Sequence, residues 1–238
     1  MTLASPPSEP MPAGLYCSEI NRAHGLDPAG NATPFERFLL VEIPLPWPRS
    51  LLKSDGVTLY QRLRAVYNEA LDAGHQVRIT GLVPDDEWST PGLTRVITYR
   101  RPEGDRFATY ERDEHLLTAQ DDVVALARAF FRDDRDALGR FDAQREPSDG
   151  RGDLLVCTHG TYDACCGTRG TPLYRQARAE LTEVRTWRVM HSGGHRYAPT
   201  AVTMPDGRAW AFLDMERTRQ AVRHGGDHRQ MVPLLRGW

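Results

Sequence analysis

The sequence predicts an α/β protein made of a tandem of two thioredoxin-like units. The first observation is a repeat: the order strand, helix, strand, hairpin and helix occurs twice along the 238 residues. The second is that each copy opens on a nearly continuous apolar run, which is typical of a strand buried in a parallel sheet. The third is a polar stretch rich in Gly and Pro, Ala143–Asp153, between the copies. We therefore expect a flexible tail over residues 1–15, a first unit over 16–145 and a second over 146–238.

The first unit begins with the apolar strand Phe35–Leu45. A helix follows over Gly56–Gly74, because its apolar residues recur at helical spacing and its last glycine suits a C-terminal cap. His75–Val83 is a second strand, and Thr94–Arg112 reads as a hairpin that turns at the sequence PEGD. The amphipathic stretch Asp121–Leu138 closes the unit as a helix.

The second unit repeats this order. Gly152–Gly160 is a strand that runs into a loop, Thr171–Glu183 is a helix and Thr186–Gly194 is the second strand. Thr200–Asp214 forms a hairpin, because its central Pro-Asp-Gly is a strong turn signal. Met215–Gly226 is the closing helix. A strand–helix–strand crossover followed by a hairpin and a helix is the order that a thioredoxin-like unit requires.

The composition limits the classes of function. Hydrophobic residues make up 40% and charged residues 26% of the chain, so a sizeable core is possible. The formal net charge is −2, and no overall basic field favours nucleic acid. No apolar run approaches the roughly 20 residues that span a bilayer. The opening MTLASPPSEPMPAG has neither a basic nor an apolar signal region, so we expect a cytoplasmic protein.

The four cysteines do not form the framework of a small secreted protein. Three of them, Cys157, Cys165 and Cys166, lie within ten residues, and the adjacent pair could scarcely be joined to each other. We therefore expect free or metal-bound thiols in a reducing compartment.

The residues with metal-binding chemistry collect at one sheet edge of the second unit. Parallel strands of a crossover end at the same edge, which is the usual place for sites in open α/β sheets. Cys157 ends the first strand, and Cys166 follows in the next loop. His191 ends the second strand, and His195 lies in the loop after it. The matching strand ends of the first unit carry no Cys or His, so only the second unit is predicted to carry a metal site.

Two thiols and two imidazoles allow three interpretations: a zinc site, an iron–sulfur cluster, or a coincidence of thiols and core histidines. The spacing Cys157-x8-Cys166 is wide for a zinc knuckle, whereas a two-iron cluster suits ligand pairs from two separate loops. A Rieske centre is excluded, because the second element C-x2-H is missing: Thr168 and Arg169 stand three residues after the two adjacent cysteines.

Two segments, CTHGTYDACCGTRG (Cys157–Gly170) and HSGGHRYAPTAV (His191–Val202), resemble the sucrase/ferredoxin-like family. The N-terminal stretch Tyr16–Trp47 is also similar to the start of bacterial members, so the resemblance runs to about Asp214. Characterised eukaryotic members are thioredoxin-like ferredoxins with a non-Rieske [2Fe–2S] cluster. The ordered occurrence of C-x-H-G, C-C-G and H-x-G-G-H is specific.

The resemblance implies that Cys157, Cys166, His191 and His195 hold a [2Fe–2S] cluster. It implies an electron carrier more than an enzyme with its own substrate, with a pH-dependent potential above that of an all-cysteine ferredoxin. No G-x-G-x-x-G fingerprint occurs, so we expect redox protein partners, a reductase and an acceptor. The alternatives are a zinc-binding interaction domain and a thiol-redox protein on the same fold.

The remaining cysteines and histidines are assigned to smaller roles. Members commonly have an arginine where this chain has Tyr162, and the doublet leaves Cys165 as an alternative to Cys166 as ligand. Cys17 reads as structural. His159 either hydrogen-bonds to the cluster loop or caps a turn. The pair His224 and His228 follows a helix end, where capping explains it better than metal binding.

Overall fold

The computed structural model describes residues 16–49, 58–105 and 108–237. The predicted tail over residues 1–15 lies outside the described residues, as does the start of the predicted helix Gly56–Gly74. Nine strands and seven helices are defined in the described part of the chain. The strands are β1 (Arg37–Glu42), β2 (Val77–Leu82), β3 (Thr94–Arg100), β4 (Glu111–Leu117), β5 (Gly152–Cys157), β6 (Val184–Val189), β7 (Ala201–Met204), β8 (Arg208–Trp210) and β9 (Leu235–Gly237). The helices are α1 (Cys17–Ala23), α2 (Leu59–Asp72), α3 (Gln120–Arg132), α4 (Arg135–Gly139), α5 (Thr171–Glu180), α6 (Met215–Val222) and α7 (His228–Met231).

All nine strands belong to one mixed sheet, in the order β4-β3-β1-β2-β6-β5-β7-β8-β9. In the first half β1 pairs parallel with β2 and antiparallel with β3, which pairs antiparallel with β4. In the second half β5, β6, β7 and β8 repeat these pairings. The halves meet where Leu82 of β2 pairs with Val189 of β6. This short antiparallel contact joins two strands that would otherwise be sheet edges with unpaired backbone groups.

Strand and helix positions follow the apolar pattern of the sequence. Leu39 and Val41 of β1 pack against α2 and α3 on one face, because alternate residues of a strand point to opposite faces. Phe38 and Leu40 point to the other face and join a cluster that also contains Leu155 and other residues of the second half. A third cluster lies between the second half of the sheet, α5 and α6.

The sheet curls so that its two halves face each other. The hydroxyl of Tyr99 on β3 donates a hydrogen bond to the carboxylate of Asp153 on β5, although the two strands are four positions apart in the sheet. Four strand spacings of about 4.8 Å would separate these residues too far in a flat sheet. The shared core and this hydrogen bond therefore require strong curvature.

Several predicted elements differ in their boundaries. The strand predicted over Thr186–Gly194 spans Val184–Val189, so His191 follows this strand and does not end it. The hairpin at Thr94–Arg112 exists, but its second strand only begins at Glu111 and runs to Leu117. Because most residues of this strand are charged, it lacks the apolar pattern by which strands are predicted from a sequence. The helix predicted over Asp121–Leu138 is broken at Asp133, which has a left-handed φ of 57°. Aspartate tolerates this conformation better than most residues, and here its carboxylate forms ion pairs with three arginines, Arg37, Arg100 and Arg135.

Three elements were not predicted: α1 near the start of the described chain, and α7 and β9 near its end. The helix expected over Met215–Gly226 ends at Val222. None of the helices in the described ranges combines the length and the apolar character that a bilayer crossing requires.

Candidate metal centre

Cys157 is the last residue of β5 and is buried. The backbone around it is fixed on both sides: its N–H donates to the carbonyl of Thr200, and the N–H of Thr158 donates to the carbonyl of Val189. The first predicted ligand is therefore held by the sheet itself, as the strand-edge argument requires.

Cys165 and Cys166 lie at the start of a helical segment, whereas the sequence placed Cys166 in a loop. The segment begins at residue 164 and continues through a π-helical turn, Cys166–Gly170, into α5. The carboxylate of Asp163 accepts a hydrogen bond of 2.8 Å from the N–H of Cys165 and caps this segment. Both thiols are buried.

Glycines bring this helical segment against the end of β5. A Cβ atom on Gly170 would lie 1.9 Å from the carbonyl oxygen of Cys157, and Gly160 and Gly167 are in a similar backbone contact with each other. Real non-bonded atoms do not approach so closely, so these positions require glycine. The close approach is what sets Cys166 beside Cys157.

His191 and His195 follow β6 in a turn that depends on two glycines. Gly193 and Gly194 have φ values of 79° and 73°, a region that favours glycine. His191 stacks on the ring of Tyr162, with centroids 4.0 Å apart. His195 begins a short 3₁₀ turn, and its ring centroid lies 6.0 Å from that of His191.

The structure brings three of the four predicted ligands into one group. The Sγ atoms of Cys157 and Cys166 and a ring nitrogen of His191 all lie within 4.8 Å of one another. His191 Nδ1 lies 3.5 Å from the sulfur of Cys166 and 3.9 Å from that of Cys157. The Cys166 thiol and the His191 ring hydrogen-bond to Cys157 and hold the pKa of that thiol well below its usual value. The same Cys157 sulfur raises the pKa of the Cys166 thiol.

The fourth predicted ligand, His195, lies in an adjoining group with Cys17 and Asp163. Its Nδ1 is 2.8 Å from a carboxylate oxygen of Asp163 and 3.4 Å from the sulfur of Cys17. Burial and the nearby Cys165 thiol raise the pKa of Cys17 to about 12. Cys17 and Asp163 were not predicted at the site. Cys17 lies 140 residues before Cys157, so no motif spacing connects the two. An isolated aspartate such as Asp163 gives no indication of a metal site in the sequence.

His159 hydrogen-bonds to the backbone on two sides. Its Nδ1 accepts from the N–H of His191, at 3.3 Å, while its Nε2 lies 3.1 Å from the carbonyl oxygen of Pro48 and donates to it. Burial lowers the pKa of this imidazole, which fits a neutral ring with one donor and one acceptor. His159 therefore supports the histidine loop through the main chain of His191.

Two arginines from distant segments also support the histidine loop. Arg78 of β2 donates to the carbonyl of Ser192, and its burial lowers its pKa to about 10. Arg236 of β9 is buried with its guanidinium against Gly194, and its burial also lowers its pKa. Each brings positive charge to the site, and neither could be found from motif spacing.

The second histidine pair has other partners. His224 accepts a hydrogen bond of 3.1 Å from Arg208 and lies 3.9 Å from the carboxylate of Asp206. His228 is exposed and lies near Asp227, which caps α7. These contacts are those of a surface turn and a helix cap, in keeping with the role predicted for the pair.

Gly170→Ala tests the close approach at Cys157. We expect a loss of about 3 kcal/mol or more in the free energy of unfolding, because a methyl group would overlap the carbonyl oxygen of Cys157. Gly139→Ala is the matched control, since its nearest neighbour would be 3.9 Å away. This second change should leave stability unchanged or raise it by up to about 1 kcal/mol. Urea unfolding followed by circular dichroism measures both. Equal midpoints for the two variants would contradict the close approach.

The fold and the site together define an α/β protein with a cysteine- and histidine-rich edge on its sheet. The family model for sucrase/ferredoxin-like proteins matches residues 28–237, so the chain belongs to the sucrase/ferredoxin-like family. The resemblance carried by the C-x-H-G, C-C-G and H-x-G-G-H motifs is thereby confirmed.

One curated relative is similar over a short segment. The chain is 38% identical over 58 residues to altered inheritance of mitochondria protein 32 of the yeast Meyerozyma guilliermondii. The match covers 22% of this chain and 21% of the yeast protein, about a fifth of each. No solved structure matches the chain.

Proposed function

We propose that the protein is an electron carrier that holds a [2Fe–2S] cluster through Cys157, Cys166, His191 and His195. The observation that carries the proposal is the convergence of Cys157, Cys166 and His191, whose donor atoms lie within 4.8 Å of one another although they come from three separate elements. Thiolate and imidazole are the ligand types of histidine-ligated [2Fe–2S] centres. Membership of a family described as ferredoxin-like supports the same function.

The position of His195 also suits a group larger than a single ion. The centroid of its ring lies 6.0 Å from that of His191, outside the compact group of Cys157, Cys166 and His191. A two-iron centre needs ligands spread over two adjacent positions, whereas a mononuclear ion needs them around one. His195 would have to exchange its contact with Asp163 for the cluster.

Several residues around the proposed ligands support this function. When bound, the cluster supplies a centre that takes up and returns one electron. The Cys166 thiol and the His191 ring lower the pKa of the Cys157 thiol, and the thiolate is the form that binds metal. Tyr162 orients the ring of His191, and Arg78 and Arg236 offset negative charge at the site.

We also propose that the two halves are thioredoxin-like units, 16–145 and 146–238. The support is the strand order, since β2-β1-β3-β4 and β6-β5-β7-β8 are the same arrangement of a parallel pair followed by two antiparallel strands. Cys157 and His191 end or follow the parallel strands of the second copy, whereas the described residues at the C-terminal ends of β1 and β2 include no Cys or His.

Electrons would enter and leave on the histidine side. The side chain of His195 is 34% exposed and Tyr162 is 46% exposed, whereas Cys157 and Cys166 are buried. A reductase and an acceptor protein would therefore dock over these aromatic rings. Four free thiols support residence in a reducing cytoplasm.

We expect the midpoint potential to fall as the pH rises, because a histidine-ligated centre gains affinity for a proton when it gains an electron. One proton per electron corresponds to about 59 mV per pH unit. Voltammetry of the loaded protein between about pH 6 and about pH 10 measures the slope. A flat potential over this range would contradict histidine ligation.

A zinc site is the second candidate, and a specific observation favours it. Cys157, Cys166 and His191 alone form a compact Cys₂His set, which is a known zinc arrangement. Iron, sulfide and zinc analysis of anaerobically purified protein separates the two. About two irons and two sulfides per chain support the electron carrier. One zinc without sulfide supports a zinc-binding domain.

A further inference from the structure

Cys17 and Cys165 form a thiol pair outside the four proposed ligands. Their sulfur atoms lie 3.0 Å apart although the residues are 148 positions apart in the chain. A disulfide bond is about 2.05 Å long, so only about 1 Å separates this contact from a covalent link. The two groups of potential metal ligands do not include Cys165.

Separate contacts hold the two cysteines in place. Cys165 begins a capped helical segment and is buried. Cys17 is the first residue of α1, and this helix lies over the site: Glu19 forms an ion pair with Arg169, and Asn21 donates to the carbonyl of Arg196. The two sulfurs therefore lie close together because α1 docks on the elements beside the candidate metal centre.

The ion pair and the side-chain hydrogen bond that dock α1 are partly exposed, although Ser18 of this helix is buried. The side chains of Glu19 and Arg169 are 38% and 39% exposed, and exposed ion pairs contribute little to stability. A covalent link between Cys17 and Cys165 would therefore hold α1 on the neighbouring elements more strongly than either of these non-covalent contacts does. His195 and Asp163 lie directly beneath this helix.

We propose that Cys17 and Cys165 form a reversible disulfide that fastens α1 over the His195 side of the site. The oxidant is a low-molecular-weight disulfide of the glutathione type. Cys17 is the more exposed of the two thiols. It gives up its proton, and its sulfur attacks one sulfur of the oxidant and releases one thiol. Cys165 then attacks the Cys17 sulfur of the mixed disulfide and releases the second thiol. In total, two protein thiols lose two electrons and two protons, and one external disulfide becomes two thiols.

The reduced and oxidised states differ in access to the site. In the reduced state only non-covalent contacts hold α1 above His195. In the oxidised state the crosslink closes a loop of about 150 residues, which removes open conformations of α1. The pair does not depend on a bound cluster, since neither cysteine is a proposed ligand.

The double variant Cys157→Ser/Cys166→Ser tests the pair without the cofactor, because only Cys17 and Cys165 remain. We expect oxidised glutathione to remove both free thiols and lower the mass by two hydrogen atoms, with no glutathione retained. Adding Cys17→Ser should leave Cys165 as a free or glutathione-bearing thiol. Stable glutathione adducts on both cysteines, or two thiols that stay free, would overturn the proposal.

The wild-type protein supplies the second measurement, in case the double variant does not fold. After oxidation, digestion without reductant should yield a peptide containing Cys17 crosslinked to one containing Cys165, with fragmentation locating the bond. A bond from Cys165 to any other cysteine, or zinc retained by Cys17 and His195, would overturn the proposal. Iron analysis of the same sample reports the cofactor separately, so the two proposals can fail independently.

Discussion

Cys166→Ser is expected to reduce bound iron from about two atoms per chain to a trace, whereas Cys165→Ser retains it. The two cysteines are neighbours in sequence and are both buried, but their sulfurs have different partners. Cys166 lies against His191 and Cys157, and Cys165 lies against Cys17. Serine removes the thiolate and changes the volume little, so loss of iron reports ligation more than packing.

The matched pair of variants makes the experiment specific. Iron, sulfide and the visible spectrum are measured on both proteins, and circular dichroism checks that each is folded. His191→Ala and His224→Ala extend the comparison to a proposed ligand and to a histidine on the surface. Iron retained in Cys166→Ser and lost in Cys165→Ser would reassign the ligand to Cys165. Equal iron content in the two variants would contradict the assignment of one of these two cysteines as the ligand.

Asp153→Ala is expected to lower the free energy of unfolding by about 3–5 kcal/mol, the usual effect of breaking a buried ion pair. Asp153 is 1% exposed on β5. Its carboxylate accepts hydrogen bonds from the guanidinium of Arg185, the indole of Trp187 and the hydroxyl of Tyr99. Among the residues that the structure describes, its loss would leave Glu114 as the buried anionic partner of Arg185.

Urea unfolding measures this effect, with Asp121→Ala as the control. Asp121 also pairs with an arginine, Arg62, but its side chain is 86% exposed, and exposed pairs contribute at most about 1 kcal/mol. Because Tyr99 belongs to the first half of the sheet, Asp153→Ala should weaken the connection between the halves as well as the second half itself. Equal destabilisation by the two variants would contradict the assigned role.

Local patterns predicted most strands and helices because burial imposes a periodicity on the sequence. The apolar run of β1 and the spacing in α2 are examples. Local patterns do not predict the contact between β2 and β6, because edge pairing depends on how two distant surfaces meet in space. They also do not predict the curvature of the sheet, which follows from long-range contacts such as that between Tyr99 and Asp153.

In the candidate site, too, some residues could be predicted from local patterns and others could not. Cys157 and His191 could be placed because they end or follow neighbouring parallel strands, and topology carries such residues to one edge. Cys17 reaches the edge only through the docking of α1, and Arg236 only through the pairing of β9 with β8. Neither event leaves a pattern in the local sequence. The contact of His195 with Asp163 is likewise a matter of side-chain placement that spacing does not determine.

Electron paramagnetic resonance of the dithionite-reduced, anaerobically purified protein tests the central claim most directly. We expect the signal of a reduced [2Fe–2S] centre with strong couplings to two ligand nitrogens. His191→Ala and His195→Ala should each alter these couplings or abolish the signal. A protein that gives no signal after reduction and contains zinc, or a cluster signal without nitrogen coupling, would contradict ligation by Cys157, Cys166, His191 and His195.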